Sequence, residues 1–117
     1  MKSKEEIKMS DHFNQLSPAE AERLAILAEE CGEVVQIVGK ILRHGYESYS
    51  PLDPHEKPNR RLLEKELGDV LWIIVRMDES ADINFSLNLS NAGVLARVRR
   101  KAISAGPYLH HQPVPQL

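Results

Sequence analysis

The sequence predicts an all-α protein: a helical bundle of three long helices plus a short N-terminal segment, completed by oligomerisation. Three observations carry this. Apolar residues recur at helical spacing over three long stretches. β-branched residues mostly fall inside those stretches, and no segment shows the period-2 alternation of a strand. Three long helices from one 117-residue chain leave much apolar surface to cover, which favours a homo-dimer or homo-tetramer.

Residues 1–16 are polar and mixed in charge and read as an N-terminal tail or short helix. The helical domain is expected over 17–106. Ser17-Pro18-Ala19-Glu20 is a helix start: serine caps, proline suits the first position, and glutamate completes a capping box. Leu24, Leu27, Cys31, Val34, Val35, Val38, Ile41 and Leu42 then carry helical spacing to about Arg43, and His44-Gly45 ends it. Tyr46 to Pro58, with three prolines, reads as a loop. Asn59 is the expected cap of a second helix over about Arg60 to Ser80. After a break at Ala81 to Phe85, with Asn84 as turn residue, Ser86 is the expected cap of a third helix from Leu87 to Ala105. Gly106-Pro107 stops it, and 107–117 reads as a C-terminal tail.

Charge and composition exclude several function classes. A net charge of -2 gives no bulk attraction to nucleic acid or to an anionic membrane. The basic run Arg97 to Lys101 lacks interleaved aromatics, so nucleic acid is not an expected partner. No apolar run approaches 18 residues and the N-terminus lacks the apolar core of a signal peptide, so a cytoplasmic protein is expected. The single cysteine, Cys31, forms no intrachain disulfide and reads as a small buried apolar residue.

The chemistry is concentrated in a short internal repeat. Leu27 to Ile37 aligns without a gap to Leu63 to Ile73, 36 residues later. Leu27/Leu63, Glu30/Glu66, Gly32/Gly68, Val34/Val70 and Ile37/Ile73 are identical, and Glu33 answers Asp69. Acids three apart share a helix face, here beside an apolar stripe rather than opposite it. If the two helices pack through these faces, four carboxylates converge. That is costly without a cation among them. Oxygen-only donors suit Mg²⁺, with Mn²⁺ as a possible substitute. Neither acid pair carries the histidine of a di-iron bundle, and zinc would want cysteine or a histidine cluster. A single acid pair is more often a solvated helix face; two pairs in one repeated frame reverse that reading. Gly32 and Gly68 weaken their helices by about 1 kcal/mol each relative to alanine, which points to close helix approach or to room for a ligand.

Glu29-Glu30-Cys31-Gly32-Glu33, followed by Glu66-Leu67-Gly68-Asp69-Val70-Leu71-Trp72, resembles the Glu-Glu-x-x-Glu…Glu-x-x-Asp signature of the MazG-like all-α nucleoside triphosphate pyrophosphohydrolases. The resemblance spans roughly Ser17 to Lys101. It implies Mg²⁺-dependent hydrolysis of a (deoxy)nucleoside triphosphate to the monophosphate and pyrophosphate, in nucleotide-pool housekeeping. Carried over by position, it implies Glu30, Glu33, Glu66 and Asp69 as metal ligands. Glu29 would be an outer acid that orients or deprotonates the attacking water. The 32 residues between Glu33 and Glu66 exceed the usual spacing, and the proline-rich loop that absorbs them can line the nucleotide pocket. The family's Asn and Lys ahead of an Arg-rich run are matched here by Asn91 and Arg97 to Lys101, with Gly93 or Val94 at the lysine position.

Five further positions are candidate substrate contacts. Trp72 offers a flat face to a base, or is a core or interface tryptophan. Lys40 and its repeat counterpart Arg76 reach phosphates, or pair with acids at the surface. Asn91 and Arg97 are candidate triphosphate contacts, although Arg97 also complements the helix dipole. The rival to an enzyme is a non-catalytic helical module that binds a nucleotide or a partner protein through the same bundle.

Overall fold

Ser17 opens the first helix, α1, which runs Pro18–His44. The computed structural model describes residues 14–85, 92–106 and 109–112. Ser17 Oγ accepts from the Glu20 N–H at 3.1 Å, and Glu20 Oε1 accepts from the Ser17 N–H at 2.9 Å. This reciprocal box satisfies two of the donors that a helix start leaves unpaired. At the other end Gly45, at φ 88, donates its N–H to the Ile41 carbonyl at 2.7 Å.

The second helix, α2, is Asn59–Glu79. Asn59 does not cap it from outside. The Pro58 carbonyl accepts the first helical bonds, from Arg61 N–H at 2.9 Å and Leu62 N–H at 3.3 Å. Asn59 is fully buried, and its Nδ2 donates to the Gly45 carbonyl at 3.1 Å, 14 residues back. The side chain read as a cap instead ties the end of α1 to the start of α2.

The third helix, α3, is Val94–Ser104, shorter than the sequence predicts. Gly93 precedes it at φ 99, outside helical space, so no helix can run through from Leu87. The Val94 N–H donates to the Asn84 carbonyl at 2.8 Å, and a Cβ at residue 93 would lie 2.7 Å from that same oxygen. Ser86, Leu87 and the rest of the expected first turns, like the 1–13, 107–108 and 113–117 parts of the two tails, lie outside the described residues. The described residues form three helices and no strand, so the protein is all-α. No described helix is long and apolar enough to cross a membrane.

The chain divides into two units, Met1–Arg76 and Met77–Leu117. In the first, α1 and the Asn59–Arg76 part of α2 form an antiparallel helical hairpin. Gly45 meets Asn59 at the loop end, and Glu33 meets Glu66 further along. Ile37 and Ile73, equivalent in the internal repeat, are its buried apolar residues, at 7% and 1% exposure. Among the described residues of this unit, the opposite side of α1 is exposed. Ala21, Leu24, Ala28, Cys31, Val35, Val38 and Leu42 are all exposed, Val35 at 71% and Leu42 at 82%. Cys31 is therefore exposed rather than buried. It lies two residues, about 200° of helix, from Glu33, on the far side from α2. Gly32 and Gly68 are exposed too, with open space where a Cβ would stand, so among the described residues neither serves a close helix approach.

Candidate active site

The hairpin brings the repeated acids together. Antiparallel pairing sets Glu33 across from Glu66, and Glu30 across from Asp69. Each of the four offers a carboxylate oxygen, and these atoms all lie within 4.8 Å of one another. All four residues are half-buried. Glu30 Oε2 and Glu66 Oε2 occupy equivalent places in the repeat, and each is buried with no hydrogen-bond partner. Two unpaired anionic oxygens from different helices, in one cluster, leave a deficit of positive charge.

The chain meets part of that deficit itself. Glu66 shares a hydrogen bond with Glu33, which pushes its carboxyl above the ordinary glutamate value; burial and the Glu33 charge push the same way, and Lys65 opposes them. Two carboxylates this close are held apart less strongly if one keeps its proton. Lys65 Nζ donates to Asp69 Oδ2 at 2.8 Å and lies 3.4 Å from Glu66 Oε1. The Asp69 contact holds the ammonium above its ordinary range. Lys65 is 60% exposed, so this pairing is weak and easily displaced. Orphaned oxygens, an all-carboxylate donor set and a displaceable lysine fit a hard divalent cation.

A cavity of about 380 Å³ adjoins the cluster, walled by Glu33, Gln36 and Lys40 from α1 and by Leu62, Lys65 and Glu66 from α2. Its walls carry both signs of charge, Glu33 and Glu66 against Lys40 and Lys65. Lys40 is half-buried there. Glu29 is exposed and is not one of the four converging acids. Trp72 is 54% exposed and does not line this cavity; it stands with exposed Leu71 and Val75. Arg97 belongs to the second unit, where with Lys101 it edges a groove floored by Val94, Val98 and Ala102. Asn91 lies outside the described residues. Sequence reasoning did not single out Gln36 or Lys65. The i,i+4 spacing of Lys65 to Asp69 was the available signal for the lysine.

Fold and cluster together give an all-α protein with four converging carboxylates beside a cavity. The chain belongs to the MazG nucleotide pyrophosphohydrolase domain family, whose model matches residues 19–110. No curated protein and no solved structure matches it.

Proposed function

We propose that the protein hydrolyses (deoxy)nucleoside triphosphates between the α- and β-phosphates, giving the monophosphate and pyrophosphate, as a cytoplasmic housekeeping enzyme of the nucleotide pool. One observation carries the site: Glu30 Oε2 and Glu66 Oε2, equivalent in the repeat, lie buried without partners inside a four-carboxylate cluster. Glu30, Glu33, Glu66 and Asp69 hold Mg²⁺, or Mn²⁺ in its place. When bound, the ion neutralises phosphate charge and activates water.

The remaining roles fall to this chain's own groups. Glu29 orients the attacking water or takes its proton. Lys40 and Lys65, on the walls of the adjoining cavity, face phosphate oxygens. Asn91 and Arg97 keep the triphosphate-contact role that the sequence pattern proposes. Of its two readings, Trp72 takes the interface one, because it is half exposed beside Leu71 and Val75. The functional domain is placed at 17–106, with 1–16 and 107–117 as flanking tails. A second copy of the chain, in a homo-dimer or homo-tetramer, covers the apolar side of α1. Neither nucleic acid nor membrane is a partner.

Product analysis tests this reading. Wild type and Glu66→Gln are incubated with a panel of canonical and modified nucleoside triphosphates, with Mg²⁺ or with chelator. Metal-dependent release of monophosphate plus pyrophosphate, lost in the variant, is expected. Release of orthophosphate would refute α–β cleavage. Nucleotide binding without turnover would favour a non-catalytic module.

A further inference from the structure

Glu33, Gln36, Lys40 and His44 follow one another along α1 at spacings of three and four, so they form one stripe. At 1.5 Å per residue, Lys40 lies roughly 10 Å and His44 roughly 16 Å from Glu33 along the axis. The acid-side cavity ends at Lys40, and a second cavity of about 350 Å³ begins there. Its other walls are His44, Ser48, Tyr49, Ser50 and Pro51. One half-buried lysine thus belongs to both cavities, which read as two compartments of one track.

The compartments differ in chemistry. Four of the side chains on the first are charged: Glu33, Lys40, Lys65 and Glu66. Beyond Lys40, the second offers a phenol ring, an imidazole, a prolyl ring and two hydroxyls. Flat rings with hydroxyl donors suit a base, and acids with lysines suit a metal-bound phosphate chain. The loop wall is built in advance. Asn59 N–H donates to the Ser48 carbonyl at 2.8 Å, and Arg60 N–H to the Tyr46 carbonyl at 2.9 Å. The Arg60 guanidinium lies 4.4 Å from the Tyr46 ring centre and bonds Glu47 at 2.7 Å. Ser50 Oγ accepts from the Leu52 N–H at 3.2 Å, which leaves its own O–H to donate.

We propose that His44 and the Ser48–Pro51 loop form the nucleoside end of the substrate site. The base stacks on Tyr49, the Ser48 and Ser50 hydroxyls and His44 read its polar edge, and Lys40 spans the joint to the phosphates. This rests on the pyrophosphohydrolase reading for its substrate class. It makes Tyr49, on the loop that lengthens the spacing between the two acid motifs, a specificity-determining residue.

The test is equilibrium binding to the full chain with Mg²⁺, using non-hydrolysable α,β-methylene nucleoside triphosphates of different bases and, separately, inorganic tripolyphosphate. Tyr49 is 44% exposed, so Tyr49→Ala should fold, and a thermal melt checks that. Tyr49→Ala is expected to weaken the nucleotides on the order of tenfold, to flatten the differences among bases, and to leave tripolyphosphate unchanged. Tyr49→Phe should restore nucleotide binding. An equal loss of tripolyphosphate in Tyr49→Ala would overturn the inference by making this compartment a phosphate site. Unchanged nucleotide affinities, or a wild type that binds tripolyphosphate but no nucleotide, would overturn it as well. Turnover is assayed separately. Tyr49-dependent nucleotide binding in a protein that hydrolyses none of the parent nucleotides would refute the hydrolase reading and keep the nucleoside subsite.

Discussion

Glu66 and Glu33 lie together in the acid cluster, and the consequences can be measured at the level of single residues. The Glu66 carboxyl titrates above its ordinary value of 4.5 in the folded chain. Between that value and the raised one, the folded state binds more protons than the unfolded state. This group's contribution to stability therefore falls as pH rises through that window. Divalent cations favour the ionised form, so saturating Mg²⁺ should remove the fall. Thermal melts from pH 4.5 to 7, in chelator and in Mg²⁺, measure it. In chelator, Glu66→Gln should be more stable than wild type at neutral pH, and the gap should narrow toward pH 4.5. The same substitution should lower activity at least ~100-fold. Lys65 provides a second residue-scale test. Its ammonium sits on Asp69 at 2.8 Å, where it competes with an incoming cation. Lys65→Met should therefore tighten Mn²⁺ binding roughly 3- to 10-fold in a calorimetric titration.

Among the elements, α1 and α2 were legible almost to the residue. Their apolar periods are long, and Ser17 to Glu20 states its own start. The acid cluster was legible too, because a gapless repeat places equivalent acids on the facing sides of an antiparallel pair. What local pattern could not reveal depends on the path of the loop. Asn59 looks like a cap by residue type, yet its amide is spent on Gly45, a contact decided only when the loop folds back. The loop as a whole was read as able to line a nucleotide pocket, but which of its side chains stand beside Lys40 depends on the same fold-back. The third helix began late because Gly93 serves a positive-φ junction against Asn84, and such a junction leaves no periodic trace. Substitutions at these places should separate their roles. Ser17→Ala should cost about 1 kcal/mol through the lost cap. Asn59→Ala should cost about 1 kcal/mol through the lost hydrogen bond to the Gly45 carbonyl, and should also loosen the Tyr46–Ser50 wall. Chemical denaturation measures both costs.

Over the whole molecule the apolar residues outrun the core. Among the described residues only Ile37, Ile73 and Met77 are buried hydrophobics. Ala21, Leu24, Ala28, Cys31, Val35, Val38 and Leu42 instead form an exposed stripe whose steps alternate between three and four residues. That is the spacing of a helix seam that packs against another helix. Our reading is that a second copy covers it. Sedimentation of wild type should show a dimer or tetramer, and Val35→Glu with Leu42→Glu should shift it to monomer while leaving helicity intact. A wild type that sediments as monomer at every concentration tested would remove the second copy.

The four carboxylates are proposed to act as one cation site, and they come from two helices. The most direct measurement is therefore equilibrium Mn²⁺ binding to wild type, Glu30→Gln and Glu66→Gln, each confirmed as folded. The expected result is a site in wild type that either single substitution weakens severely, although the two residues lie on different helices. Binding at the wild-type level in both variants would contradict a shared site, and with it the proposed basis of the activity.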